Sequence, residues 1–282
     1  MKKSFAVMLY IVITAAVMMT GSCKQSHISM TAPTPTVTPL VIDNGLHNNN
    51  INLLGGIWFT MNDCAYGGMS VCSPTAVSMG GTFQMDSPGA NGLPYAAHIS
   101  GTVYGFNTNT GLGYQFGFLE MGTFLSAGSG VSCTPVDISL YNGIEFWAKI
   151  GSDDNTGGWV ITIPYTQDGP TSVTCPVQGV TNTAYSAGQA PTCSDMQGAC
   201  QCLSPDYGED YQYQLSLTTT WNLIKAYFVD FKYPQSYYPP PSIIYVLQNA
   251  KQIQWQPNYY PPSVSPFSFN ADLWIDTPTL YR

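Results

Sequence analysis

Several residues in this 282-residue chain have the types and spacing to do chemistry, beginning with an aromatic ring between charged neighbours. Along Gly143-Ile-Glu-Phe-Trp-Ala-Lys149 a period of two puts Glu145, Trp147 and Lys149 on one face and Ile144, Phe146 and Ala148 on the other. An indole flanked by a carboxylate and an amine suits a ligand with flat C–H faces and a rim of hydroxyls. Tyr227, two residues after Lys225, is a comparable pair on a later stretch. The competing assignment for Trp147 and Trp221 is packing inside the protein, where most strand tryptophans go.

A second aromatic group lies in loops. Ser236-Tyr-Tyr-Pro-Pro-Pro-Ser242 and Asn258-Tyr-Tyr-Pro-Pro-Ser263 both carry Tyr-Tyr-Pro-Pro. Proline stiffens each loop, so Tyr237, Tyr238, Tyr259 and Tyr260 would be displayed at low entropic cost. The alternative is that these rings pack on their own prolines and close one end of the fold.

The acids support less. Asp153-Asp154-Asn155-Thr156-Gly157 opens like a calcium loop but lacks the later bidentate Glu, and a hairpin turn accounts for it better. Asp206, Glu209 and Asp210 read as a solvated loop. Glu120 and Glu145 are the acids that could form a glycosidase pair, for which separation decides and spacing along the chain does not. H-E-x-x-H and G-x-S-x-G are both missing, and His27, His47 and His98 are scattered. Catalysis is therefore not expected.

Cysteines and the N-terminus speak to compartment. Met1-Lys2-Lys3 precedes the uncharged apolar run from Phe5 to Met19, too short to span a bilayer comfortably. Thr20-Gly21-Ser22-Cys23 follows and resembles a lipobox, with Thr20 where that motif usually has Leu, Val or Ile. Residues 1–22 are then a signal peptide and Cys23 the lipidated residue. The alternative is an ordinary secretory signal cut near Ala16 or Ser22. Either way the protein is expected to be exported, lipid-anchored in the first case to a bacterial envelope, at the outer membrane or cell surface. Seven further cysteines, Cys64, Cys72, Cys133, Cys175, Cys193, Cys200 and Cys202, predict three disulfides and one free thiol in an oxidising compartment. Zinc at Cys193, Cys200 and Cys202 lacks a second pair or a nearby histidine.

Composition narrows the partners. The chain has 8 Lys+Arg against 16 Asp+Glu, and losing Lys2 and Lys3 with the signal leaves the mature protein at −10. Arg282 is its only arginine, so a run of phosphates could not be neutralised and nucleic acid is excluded as a partner. With 9% charged and 13% aromatic residues, the chain suits a polar but uncharged extracellular surface. No apolar stretch after Met19 reaches spanning length, so any membrane contact would be through lipid.

The elements that must position these residues are strands. Residues 23–54 are Thr-, Pro- and Asn-rich and read as a tether. Residues 55–282 carry strand patterns at Ile57–Met61, Tyr95–Tyr104, Gly113–Phe118, Gly143–Lys149, Gly158–Tyr165, Tyr213–Leu217, Trp221–Phe231, Ala250–Trp255 and Asn270–Asp276. The turn at 153–158 reads as a hairpin joining two of them. No amphipathic helix exceeds two turns. The fold class expected is all-β, a two-sheet antiparallel β-sandwich.

The order of motifs resembles the galactose-binding-like jelly roll. It runs from Trp58-Phe-Thr-Met-Asn-Asp63 through Tyr95-Ala-Ala-His-Ile-Ser-Gly101 and Asp137-Ile-Ser-Leu-Tyr-Asn-Gly-Ile-Glu-Phe-Trp-Ala-Lys149. Leu215-Ser-Leu-Thr-Thr-Thr-Trp221, Ile253-Gln-Trp255 and Asp272-Leu-Trp-Ile-Asp276 continue it. Among members of that fold the chain is most similar to the non-catalytic carbohydrate-binding modules of secreted bacterial proteins, over residues 57–282. The resemblance implies a polysaccharide or glycan as partner and no cofactor beyond a structural calcium, with Asp63 and Asp272 as its ligands. Asp276 is followed by Thr277 where the family often has a second acid, and the stretch from Cys175 to Asp210 is enlarged. A structural or adhesive envelope protein that binds protein is the rival expectation, and a polysaccharide hydrolase the third.

Overall fold

The computed structural model describes residues 38–62, 70–76, 81–108, 113–115, 117–128, 133–164, 210–233, 241–258 and 267–282. Its strands are β1 (Leu40–Val41), β2 (Trp58–Asn62), β3 (Val71–Ser73), β4 (Ala97–Thr108), β5 (Gly113–Gln115) and β6 (Leu119–Phe124). After them come β7 (Gly143–Ile150), β8 (Trp159–Ile163), β9 (Tyr211–Leu215), β10 (Asn222–Tyr227), β11 (Gln252–Pro257) and β12 (Phe267–Tyr281). One short helix, α1 (Ile243–Gln248), precedes β11; the Ser242 hydroxyl caps it by accepting from the Tyr245 amide.

Two antiparallel sheets result, so the chain is an all-β two-sheet sandwich. One sheet runs β10-β7-β12-β4-β3, with β1 added to β12 and β5 to β4; the other runs β2-β6-β11-β8-β9. Alternation decides which side of each strand meets the other sheet. On β7, Ile144, Phe146 and Ala148 are fully buried, while Glu145, Trp147 and Lys149 are only partly covered. From the facing sheet Trp58, Ile161, Ile253 and Trp255 fill the same core. Trp255 stacks on Trp58 at 5.7 Å and meets Phe146 edge-on at 5.6 Å; Phe83 closes the other side of Trp58 at 5.9 Å. Burying such side chains stabilises the fold by about 1.5–3 kcal/mol each.

Two expectations about organisation need correction. The tether does not extend to residue 54: β1 pairs with β12 (Leu40 opposite Leu280), and Ile42 is fully buried. Its asparagines are turn-makers. Asn44, Asn49 and Asn52 each accept a hydrogen bond from the amide two residues on. Buried Asn52 also donates through Nδ2 to Thr123 Oγ1 and the Phe124 carbonyl. The turn at 153–158 is no hairpin either, because β7 and β8 belong to different sheets. Asp154 shapes it, accepting from Thr156 through Oδ1, and from Trp159 Nε1 and the Asp272 amide through Oδ2. The carboxylate thus ties the crossing segment to β12 rather than closing a two-strand ladder.

Among the described residues no disulfide forms. Cys72 is buried and accepts from Asn62 Nδ2 at 3.6 Å, and Cys133 keeps a buried thiol that burial pushes above its usual range. Cys23, Cys64, Cys175, Cys193, Cys200 and Cys202 lie outside the described residues.

Candidate functional site: the outer face of the seven-stranded sheet

The outward side chains of β10, β7, β12 and β4 form one continuous surface. β10 and β7 are in register with Leu223 opposite Trp147, Lys225 opposite Glu145 and Tyr227 opposite Gly143. β12 places Trp274 opposite Lys149 and Thr279 opposite Glu145, with a bulge between Asp276 and Thr279. β4 adds His98 opposite Trp274 and Ser100 opposite Asp272. Glu145, Trp147, Lys149 and Tyr227 therefore share one face, although they come from two strands.

Each has a distinct environment. The Glu145 carboxylate pairs with Lys225 Nζ at 2.9 Å across the strands, which raises the lysine above its ordinary range. Lys149 Nζ lies 4.5 Å from the centroid of Trp274 and 5.0 Å from that of Trp221. Tyr227 meets Tyr281 edge-on at 5.6 Å. The Tyr281 ring crosses Gly143, where an added Cβ would lie 2.9 Å from its hydroxyl and 2.2 Å from the Ala226 carbonyl. Burial holds the Tyr281 phenol above its usual range.

The six tryptophans can then be sorted by contact. Trp58, Trp159 and Trp255 are buried in the core. Trp221 and Trp274 meet edge-on at 6.4 Å and enclose Lys149. Trp274 is further stacked on His98 at 3.8 Å and donates through Nε1 to Asp272. Trp147 is half-buried, and among the described residues it makes no ring, cation or hydrogen-bond contact. Its neighbour across the strand, Leu223, is 46% exposed.

Beside this platform lies a polar knot that periodicity did not reveal. His98 bridges two acids, with Nδ1 2.9 Å from Asp86 Oδ2 and Nε2 3.1 Å from Asp272 Oδ1. Alternation in Ala97-His-Ile99 and Asp272-Leu-Trp274 does put these side chains outward. Their meeting depends on a cross-strand register that neither segment encodes alone.

Other expected site residues fare differently. Tyr237, Tyr238, Tyr259, Tyr260 and Asp63 lie outside the described residues. Glu120 and Glu145 cannot form a glycosidase pair. Glu120 leaves β6 on the side of the five-stranded sheet away from the core, and Glu145 leaves the other sheet in the opposite direction. The sheet spacing alone is about 10 Å, beyond the roughly 5–9.5 Å that such chemistry uses. Glu120 accepts from Gln254 Nε2 instead, and burial, reinforced by the Asp210 charge, pushes its carboxyl up to about 8.

Of the calcium ligands implied by resemblance, Asp63 lies outside the described residues, and Asp272 Oδ1 accepts from Trp274 Nε1 and lies 3.1 Å from His98 Nε2. A second oxygen set lies where the N-terminal segment crosses the β12 bulge. Buried Asp43 accepts from Trp58 Nε1 and the Gly45 amide, while Asp276 Oδ2 accepts from Ala90 and its buried Oδ1 has no hydrogen-bond partner among the described residues. Burial pushes Asp276 up to about 6, against the favourable Ala90 N–H. Two glycines keep this space open: a Cβ on Gly45 would lie 2.6 Å from Asp276 Oδ1, and one on Gly89 would lie 2.5 Å from the Tyr95 carbonyl. Among the described residues no group of three or more His, Cys, Asp or Glu side chains is placed to hold a metal ion. A cation here would therefore complete its six to eight oxygens from carbonyls and water.

A two-sheet antiparallel sandwich with an aromatic platform on one outer face is thus the class that fold and site define. Among solved structures, the chain is similar to a family 11 carbohydrate-binding module from Clostridium thermocellum in complex with a β-1,3-1,4-mixed-linked tetrasaccharide. That match has 15% identity and a TM-score of 0.43, covering 87% of this chain and 96% of that one. The family 11 module of the cellulosomal cellulase Lic26A-Cel5E of the same organism matches at 14% identity and TM-score 0.43, over 87% of this chain and 95% of that one. No family model and no curated protein matches the chain.

Proposed function

We propose that this chain is an exported, lipid-anchored protein whose β-sandwich binds polysaccharide without cleaving it, at the outer face of the seven-stranded sheet. One observation carries the reading: Trp147 is the only tryptophan that is neither buried in the core nor engaged by another side chain among the described residues. Its indole offers a ring face and an Nε1 donor on a rigid central strand, with Leu223 extending the apolar surface. A pyranose ring packs its C–H face on such a platform. Its hydroxyls would meet the Glu145–Lys225 pair, a donor and acceptor held together at 2.9 Å. Tyr227 extends the surface along β10.

The test is affinity electrophoresis of the soluble domain through gels containing plant, fungal or bacterial polysaccharides, alongside thermal unfolding. Trp147→Ala is expected to weaken retardation about tenfold or more, since stacking on an aromatic ring is worth on the order of 1–3 kcal/mol. The melting temperature should stay near the parent's, because the ring is not a core residue. A folded variant that binds like the parent overturns the site. Failure of the parent to bind any polysaccharide, together with capture of one specific protein, favours the adhesive alternative.

We also propose that calcium, if this sandwich holds it, sits at Asp43 and Asp276. Hard carboxylate and carbonyl oxygens suit that ion. Its chemistry there is structural, neutralising two buried carboxylates and joining the N-terminal segment to β12.

A further inference from the structure

Lys149 stands two residues along β7 from Trp147 on the same face, about 7 Å away along the strand. Its ammonium is fixed by two indoles, at 4.5 Å from Trp274 and 5.0 Å from Trp221. Aromatic faces attract a cation and hold it in place, but they do not neutralise it. The other lysine on this face has a carboxylate partner. Lys225 is matched by Glu145, and Asp86 and Asp272 both converge on His98. Lys149 forms no ion pair with any described residue, in a chain with twice as many acids as bases.

We infer that Lys149 is a specificity residue of the Trp147 site, and that the preferred polysaccharide carries an anionic substituent, a ring carboxylate or a sulfate ester. The inference rests on the reading that this face binds polysaccharide, and it names the class. A sugar stacked on Trp147 brings its exocyclic group within the reach of a lysine two residues away. A charge-assisted hydrogen bond to a preplaced ammonium is about twice as strong as a neutral one. The overall negative charge of the protein is screened beyond about 8 Å at physiological salt, so the groups within that distance act on the ligand, and Lys149 is the cation among them without an ion-pair partner.

Matched polymers test this by affinity electrophoresis and calorimetry: polygalacturonate against its carboxyl-reduced form, and dextran sulfate against dextran. The parent should prefer the anionic member of at least one pair by about tenfold at low salt, with the preference fading at high salt. The pair that discriminates identifies carboxylate or sulfate as the substituent. Lys149→Gln should lose the preference, Lys149→Arg should retain it, and Trp147→Ala should weaken both members. Equal binding of charged and neutral members by the parent overturns the inference whether or not any variant folds, and leaves the glycan reading standing. A preference that survives in Lys149→Gln also overturns it. Binding of neither member of either pair by the parent overturns the inference; the glycan reading falls with it only if the parent also binds none of the plant, fungal or bacterial polysaccharides.

Discussion

At the scale of single residues, the distinction that matters is between a side chain satisfied by the protein and one left with capacity to spare. Trp274 has a histidine on its face, a lysine nearby and a carboxylate on its Nε1, whereas Trp147 has none of these. Alternation along β7 reads this far from sequence, since Glu145, Trp147 and Lys149 emerge together as expected. Partners across the strands are not legible in the same way. Whether Lys149 meets a carboxylate or two indoles depends on register with β12 and on where Trp221 falls before β10. Glu120 shows the same limit, because its sequence neighbours do not say that its outer face is buried. That burial has a measurable consequence. A carboxyl whose folded value is about 8, above the ordinary value near 4.5, binds its proton more tightly in the folded state. Its stabilising contribution is full below the unfolded value and is lost as pH rises through about 8. Unfolding free energies from urea titrations at pH 5 to 9 should therefore fall for the parent, by on the order of a few kcal/mol. Glu120→Gln should flatten the slope, and a parallel profile in that variant would show that another group is responsible.

At the scale of elements, most strands were readable because each has apolar residues at every second position facing the core. The misread segments are those in which composition and geometry part company. Residues 38–54 share their Thr, Pro and Asn content with a disordered linker, yet their asparagines fold it into successive turns around buried Ile42 and Asn52. The turn after β7 has hairpin composition, but Asp154 spends its oxygens on Trp159 and β12, and the chain changes sheet. The β12 bulge was equally hidden, and it is what brings Asp276 under the N-terminal segment beside Asp43. If calcium joins these two elements, chelation should lower the melting temperature of the domain and added calcium should restore it. Saturation at a hundred times the dissociation constant stabilises by about 2.7 kcal/mol, which for a domain of this size is roughly 5–10 °C. Asp276→Asn should abolish the response whatever its own stability. A parent indifferent to both chelator and calcium would exclude the ion from this site.

At the scale of the whole molecule, the proposed function needs a means of holding the sandwich at a cell envelope, and the composition leaves few ways to provide it. The chain has 8 Lys+Arg against 16 Asp+Glu, and loss of residues 1–22 as a signal would leave six cations, so electrostatic adhesion to an anionic leaflet is unfavourable. No helix among the described residues is long and apolar enough to cross a membrane. A lipid on Cys23 answers the need directly, because each buried methylene contributes about 0.8 kcal/mol. On this reading the parent should incorporate labelled fatty acid and pellet with membranes after a high-salt wash. Cys23→Ser should take up no label, and its processed form should appear in the soluble fraction with unchanged polysaccharide affinity. An unlabelled parent with its mature N-terminus elsewhere would exclude the lipid anchor while leaving the Trp147 face untouched. Retention of a processed Cys23→Ser protein in the membrane would instead place the anchor in another part of the chain.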